Sequence, residues 1–562
     1  MSNAYSGAEA LVWLLDSYGV RLVFGLCGDT SLPFYDALAR GRHAIRHLLA
    51  RDERHAAYMA EAWSRLTGRP GVVEGPSGGG ATYMLPGVAE ADGSATALVA
   101  LTTDVAVTAR GRFTLTELDQ AALFRPVTRW SEVVDRPEAL PRAVRKAFRM
   151  ATCGRPGAVH LGIPFDVQQG TVPPEELWVE PRNQQWPAER PMPDPAEVER
   201  AARALREAER PLAICGGGVL ASGAEAALLA LAERLDLPVA TSISGKGAIP
   251  ETHPLAVGVV GSNGGTPETR ALVDAADLVL FVGCRAGSVT TERWRHPKPG
   301  EVRVVHIDID PAAIGTNYPT EAALVGDART ALEALLAALD PMPSVARRSR
   351  QEVTSLRERK FAAFRERALS DERPIRPERV VATFARLLPA DAILLCDPGT
   401  PCPYFSAYFP LARAGRHFLS NRAHGALGWA LPAALGAALA RPEQKVVAVM
   451  GDGSFAMACG ELETAVRLGL PVLFVVLANG SYGWIRAGQK TRFGGRYFSV
   501  DFGPLEHAAV ARAFGLEAER VDDPRALEPA VARLLRASGP ALLEILCQPL
   551  EEAAAPVSEW IA

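Results

Sequence analysis

At 562 residues the chain exceeds what one hydrophobic core usually organises, and two to four domains are expected. Hydrophobic residues make up 48% and charged residues 22%, which excludes a dominantly disordered or low-complexity chain. The formal net charge is −4 with no basic block, so nucleic acid is not an expected partner.

Met1 to Gly19 lacks a basic stretch leading into an apolar core, so no secretory signal is expected. The first segment then alternates helical and strand-like apolar patterns. Val23–Leu26, Ala97–Leu101 and Ala158–Ile163 read as buried strands. Glu53 opens a helical pattern whose face continues through Ala56, Ala57, Ala60 and Trp63. A carboxylate in line with that stripe is costly unless paired or neutralised, although an exposed first-turn glutamate would give the same pattern. A proline-rich linker is predicted at Pro181–Pro195.

The middle segment places strands at Leu212–Cys215, Leu278–Val282 and Val302–Ile309, the first followed by Gly216-Gly217-Gly218. A second linker is predicted from Pro341 through the charged 347–360 stretch to Pro377. The third segment opens with a helix near Val380–Leu388, a strand at Ile393–Cys396 and the loop Asp397-Pro398-Gly399-Thr400. The run Ala426–Ala440 is shorter than the roughly 20 residues of a membrane span and contains Pro432. It reads as a buried helix with close backbone contacts, and no membrane is expected. Eight scattered cysteines without a CxxC fit a reducing cytoplasm. The alternation throughout predicts α/β architecture with three doubly wound parallel-sheet domains at 1–180, 195–340 and 375–562. The first and third resemble each other coarsely.

The densest chemistry lies late in the chain. Val446–Met450 reads as a buried strand ending in Gly451-Asp452-Gly453-Ser454, followed by a helix from about Gly460. Val472–Leu477 is a second strand, ending in Ala478-Asn479-Gly480-Ser481. In a right-handed βαβ unit both strand ends reach one edge of the sheet, which brings Asp452 beside Asn479. A carboxylate and an amide oxygen with room for water and phosphate suit Mg²⁺. Glycines 451 and 453 would let main-chain amides approach a phosphate, with Ser454 beside them. Gly-Asp-Gly alone also reads as a tight turn; the paired Asn-Gly-Ser favours the ligand reading.

These motifs, with Arg51–Gly71 closing in Thr67-Gly68-Arg69-Pro70-Gly71, resemble the thiamine-diphosphate enzymes of the pyruvate decarboxylase and acetolactate synthase superfamily. The resemblance implies an N-terminal pyrimidine-binding domain, a central Rossmann-like domain and a C-terminal diphosphate-binding domain. It implies Asp452, Asn479 and the Ser481 carbonyl as ligands of Mg²⁺, although Ala478 replaces an asparagine common in the family. It implies that Glu53 hydrogen-bonds N1′ of the aminopyrimidine. Gly425 and Leu427, in Gly425-Ala426-Leu427-Gly428, would hold the 4′-amino group and the bent cofactor, Leu427 also serving as core. Gly399 and Thr400 would contact the diphosphate. A homodimer or homotetramer is implied, with active sites formed between subunits.

Asp29 falls where simple 2-oxo-acid decarboxylases carry an active-site aspartate. Those enzymes also have a His-His pair, and this chain has none. Gly75–Thr82 and Leu123–Thr128 look more like acetolactate synthase, which often reads Phe-Gln-Glu where this chain has Leu115-Thr116-Glu117. The expected activity is decarboxylation of a 2-oxo acid with transfer of the acyl unit to an acceptor. A decarboxylase or 2-hydroxyacyl lyase is the alternative within this chemistry, and a non-catalytic cofactor-binding scaffold the alternative outside it. Phe113, Trp484 and Ile485 suit an apolar cleft or core packing. His55 and His424 suit acid–base work or structural roles. The central domain, with Gly216–Gly218, Gly283-Cys284-Arg285 and Asp308-Ile309-Asp310, is expected to hold FAD, an ADP-like moiety, or nothing.

Overall fold

The computed structural model describes residues 5–339, 347, 349–552 and 554–560. Three six-stranded sheets, all parallel, account for most of the strand structure. The first contains β1 (Leu22–Gly25), β2 (Arg46–Leu49), β3 (Gly71–Gly75), β4 (Leu98–Asp104), β5 (Trp130–Val133) and β6 (Ala158–Pro164), in the order β2-β1-β3-β4-β6-β5. The second contains β7 (Pro211–Cys215), β8 (Val239–Thr241), β9 (Ala256–Val259), β10 (Leu278–Val282), β11 (Arg303–Asp308) and β12 (Ala322–Val325), ordered β9-β8-β7-β10-β11-β12. The third contains β13 (Ile393–Cys396), β14 (Phe418–Leu419), β15 (Val446–Gly451), β16 (Val472–Ala478), β17 (Glu517–Val521) and β18 (Ala541–Leu546), ordered β14-β13-β15-β16-β18-β17. Central strands are buried along their whole length, as helices on both faces of a parallel sheet require. The first and third sheets share one strand order, so the coarse likeness between those segments extends to topology. This is the α/β class expected from the alternating pattern.

By packing, the chain forms two compact units. One contains the chain to Glu189 with Asn421–Pro442 and Ala458–Leu468; the other contains Arg190–Ser420, Glu443–Met457 and the chain from Gly469. The first unit holds the first sheet, and the second unit holds the other two. No helix among the described residues is long and apolar enough to cross a membrane.

The second predicted linker is largely a helix. Ser349–Ala368 runs for 20 residues and buries Val353, Leu356, Lys360 and Phe364. Its apolar positions are spaced three and four apart but diluted by charged neighbours, so the sequence reads as a solvated stretch. The residues from 340 to 346, and 348, lie outside the described ones. In the first linker, 181–184 form a short turn, and Pro195 is the first residue of a helix capped by Asp194.

In the first unit, the Glu53–Thr67 helix packs along Ala430–Ala440. A Cβ on Gly436 would stand 2.1 Å from the Met59 carbonyl oxygen, so only glycine permits this approach. The buried, close-packed helix expected from the Gly- and Ala-rich run is therefore present. Gly436→Ala is expected to destabilise the chain by about 1–3 kcal/mol, measured by urea unfolding, because the clash is with main chain that cannot yield.

Candidate active site

The diphosphate-type motifs meet as the topology requires. In the second unit β15 and β16 are adjacent and in register from Val446↔Val472 to Gly451↔Leu477. Asp452 and Asn479 therefore leave the same sheet edge. Asp452 is buried, and its Oδ2 accepts the main-chain N–H groups of Asn479 (3.0 Å) and Gly480 (2.6 Å). Its Oδ1 accepts the Gly453 N–H at 3.0 Å. Burial pushes the Asp452 carboxyl up, against the pull of these donors and of nearby His507. Among the described residues no lysine or arginine forms an ion pair with it.

Asn479 Nδ2 donates to Thr400 Oγ1 at 3.3 Å, which joins this loop to the one after β13. Asn479 Oδ1 accepts from the Ser481 N–H (3.2 Å) and hydroxyl (3.3 Å). The Ser481 carbonyl accepts the Gly483 N–H at 2.9 Å and keeps a second lone pair. A Cβ on Gly399, Gly451 or Gly480 would meet nothing within 4 Å, so the three loop tips share an uncluttered edge. Gly453 serves a different purpose: a Cβ there would press to 2.6 Å from the Tyr482 ring. Ser454 is buried in the short helix Asp452–Ala458, which starts at the acid itself and precedes the expected helix, found at Glu461–Leu468. Among the described residues no group of three or more His, Cys, Asp or Glu side chains could hold a metal. The donor set that remains is all oxygen: one carboxylate, one amide and main-chain carbonyl. It fits a hard divalent cation bridging to phosphate.

In the first unit Glu53 starts its helix after Asp52, whose side chain caps the Arg54 N–H at 2.8 Å. The Glu53 side chain is 6% exposed, and burial pushes its carboxyl up. It lies over the glycine-rich loop after β3. A Cβ on Gly80 would stand 2.9 Å from Glu53 Oε1, and one on Gly75 would stand 3.3 Å from its Cγ. The glycines of Gly75–Thr82 thus make room for this carboxyl. Asp29 is exposed, opens a short 3-10 turn, and accepts the Thr30 N–H at 2.8 Å.

The loop carrying Gly425 and Leu427 belongs to the same unit and depends on a residue that sequence reasoning missed. Glu90 is fully buried in the helix Leu85–Gly93. Its carboxylate accepts the N–H groups of Ala423 (3.2 Å), His424 (2.7 Å) and Gly425 (3.2 Å), and the Ser94 hydroxyl at 2.6 Å. Arg65 reaches it at 3.5 Å and also pairs with Glu61. Gly425 has φ +73°, and a Cβ there would meet nothing within 4 Å; Leu427 is half-buried. The only local sign of Glu90 is an acid among the small residues of a short helix, which does not reveal a partner more than 300 positions away.

The other predicted site residues divide between buried and exposed positions. His55 is buried against Glu461 at 3.2 Å, which favours its structural reading. His424 is exposed and contributes its main-chain N–H to Glu90. Trp484 packs on Trp560 with ring centroids 5.1 Å apart, whereas Ile485 is exposed. Phe113 is fully exposed and forms no cleft wall within its own unit. In the second sheet, Gly216 and Gly218 are explained by contact with Gly283. Cβ atoms at the two positions would stand 2.1 Å from its oxygen and 2.6 Å from its Cα.

Three family models match the chain. They are the N-terminal thiamine pyrophosphate-binding domain (residues 5–123), the central domain (198–335) and the C-terminal thiamine pyrophosphate-binding domain (397–545) of thiamine pyrophosphate enzymes. A probable acetolactate synthase large subunit of Methanocaldococcus jannaschii is 34% identical over 97% of this chain and 92% of its own length. The acetolactate synthase isozyme 3 large subunit of Escherichia coli is 34% identical, over 94% and 92%. An acetolactate synthase of Arthrospira platensis is 33% identical, over 96% and 94%. The chain belongs to the thiamine pyrophosphate enzymes and is an enzyme of the acetolactate-synthase-like kind.

Proposed function

We propose that the chain uses thiamine diphosphate with Mg²⁺ to decarboxylate a 2-oxo acid and transfer the acyl unit to an acceptor. We divide it into a pyrimidine-binding domain at 1–180, a central Rossmann-like domain at 195–340 and a diphosphate-binding domain at 375–562. The observation that carries this reading is the joining of Asp452, Asn479 and Thr400 at an open, glycine-tipped edge. Asp452, Asn479 and the Ser481 carbonyl would hold the cation, and Gly399, Thr400, Gly451, Gly453 and Ser454 the diphosphate end. When bound, thiamine diphosphate supplies the electron sink for the carbon that loses CO₂.

The protein's own task is orientation and proton handling. Glu53 would hold a proton at N1′ of the pyrimidine, and its buried setting suits a carboxyl that alternates between acid and anion. The Gly425 carbonyl would accept from the 4′-amino group, and Leu427 would support the bend between the two rings. Asp29, exposed at the carboxyl edge of the first sheet, would face substrate. The central domain holds FAD, an ADP-like moiety or no second cofactor; Gly216 and Gly218 serve their approach to Gly283 and do not choose among these. A homodimer or homotetramer is proposed. Tyr83, Phe113 and Leu115 in one unit and Ile485, Phe493 and Phe498 in the other leave apolar surface for a second copy to cover. The proposed place of action is the cytoplasm.

Thermal unfolding of metal-stripped protein tests the composite site. Thiamine diphosphate and Mg²⁺ together are expected to stabilise it by about 2.7 kcal/mol at a hundredfold excess over Kd, and neither alone to do so. The loaded protein is then expected to release CO₂ from a 2-oxo acid and, given an acceptor carbonyl, to form a new carbon–carbon bond. CO₂ release with only the aldehyde as product, with and without acceptor, would replace carboligation by simple decarboxylation. Glu53→Gln is expected to bind the cofactor but slow C2–H exchange at least about a hundredfold, followed by proton NMR. Glu90→Gln sets an amide N–H₂ against main-chain donors. It is expected to weaken cofactor binding by about 1–3 kcal/mol, measured by titration calorimetry, while Mg²⁺ remains required.

A further inference from the structure

Glu74, on β3 immediately before Gly75, has no part in the mechanism above. It is buried and in register with Gly25 of β1 and Leu101 of β4. A Cβ on Gly25 would stand 3.0 Å from Glu74 Oε2, so the glycine that opens the Gly25–Asp29 loop admits this carboxyl. The Ser31 hydroxyl donates to Oε1 at 2.5 Å, and the Tyr35 hydroxyl donates to Oε2 at 2.7 Å. The Tyr35 oxygen is also 2.8 Å from Nε2 of His47, a half-buried residue of β2. Glu53 lies on the other side of the same turn, since Gly75 directly follows Glu74 and its Cβ would touch the Glu53 side chain. The titratable groups facing Glu74 are Glu53 from the helix, Cys27 from the loop after β1, Tyr35 and His47. Among the described residues no lysine or arginine pairs with it.

Two buried acids beside one glycine, with hydroxyl donors and no cation, cannot both carry charge cheaply. We propose that Glu53 and Glu74 share one dissociable proton, which Glu74 exchanges with solvent through Tyr35 and His47. Glu74 is thus a positioning residue that keeps the pocket of Glu53 at a single negative charge. Burial pushes Glu74 up to about 7, Glu53 adds to the rise, and the Ser31 and Tyr35 donors oppose it. Burial holds His47 down to about 4, so the imidazole is neutral between transfers. A proton arriving on His47 passes from Nε2 to the Tyr35 oxygen while the hydroxyl proton of Tyr35 passes to Glu74 Oε2. The imidazole returns to neutral, the phenol keeps its charge, and the carboxylate becomes an acid. The value of this device to catalysis rests on Glu53 being the activating acid; the shared proton does not.

The cofactor-free full chain tests the proposal by infrared difference spectroscopy of the protonated-carboxyl band across pH 5 to 9. A carboxyl losing its proton near pH 7 is expected. Its signal should vanish in Glu74→Gln, move to lower pH in Glu53→Gln and move to higher pH in Tyr35→Phe. The last variant also serves if Glu74→Gln does not fold. No such carboxyl, or a midpoint indifferent to Glu53→Gln, overturns the shared proton. In cofactor-loaded protein, C2–H exchange is expected to inflect near neutrality in the wild type and to lose that inflection in Glu74→Gln. An unchanged inflection overturns the coupling. If Glu53→Gln leaves C2–H exchange unaltered while the cofactor-free titrations come out as expected, the activating role of Glu53 fails and the carboxyl pair stands.

Discussion

Parallel strands joined by right-handed crossovers send all their carboxyl ends to one edge, and where strand order reverses the outgoing loops part to leave a crevice. That constraint acts twice here. In the first sheet it separates the loops after β1 and β3, which carry Asp29 and the Gly75–Thr82 turn beneath Glu53. In the third it separates the loops after β13 and β15, which carry Gly399-Thr400 and Asp452. The same strand order has therefore been put to two uses. One edge is built around a buried acid over a glycine-rich turn, and the other around an oxygen-only cradle with bare glycine tips.

Both edges bury charge, and they manage it differently. Asp452 and Glu90 are acids held by main-chain N–H groups, three apiece. Such donors are strong and fixed in place, so each acid also dictates the path of the loop that satisfies it. Glu53 lacks three such donors, and burial pushes its carboxyl up. One kind of acid shapes a loop, and the other is given proton transfer in the proposed function. Removing the carboxylate has correspondingly different costs: an altered backbone in the first case, an altered pH response in the second.

Much of this was readable from residue order because the information is local. Gly-Asp-Gly at one buried strand's end and Asn-Gly-Ser at the next place Asp452 beside Asn479 once a right-handed crossover is assumed. The start of the Glu53 helix follows from apolar positions at i+3 and i+4. What escaped depends on distant partners. Glu90 and its three amides are more than 300 residues apart, and neither segment carries a signal naming the other. Glu74 sits in a strand of small and apolar residues, where a lone acid gives no sign of a serine and a tyrosine beside it. The Ser349–Ala368 helix failed for another reason: its buried stripe is narrow and its remaining surface so charged that composition overwhelms periodicity.

The first unit is assembled from the chain up to Glu189 and two later pieces, Asn421–Pro442 and Ala458–Leu468. During synthesis the early segment leaves the ribosome well before the helix that covers Met59 or the loop that satisfies Glu90. At typical elongation rates the wait is roughly 10–50 s. Throughout that interval a buried acid and the apolar face of the Glu53 helix stand uncovered. The nascent chain is thus a natural client for chaperones, and an expression host that translates slowly or runs warm should divert more of it into aggregates.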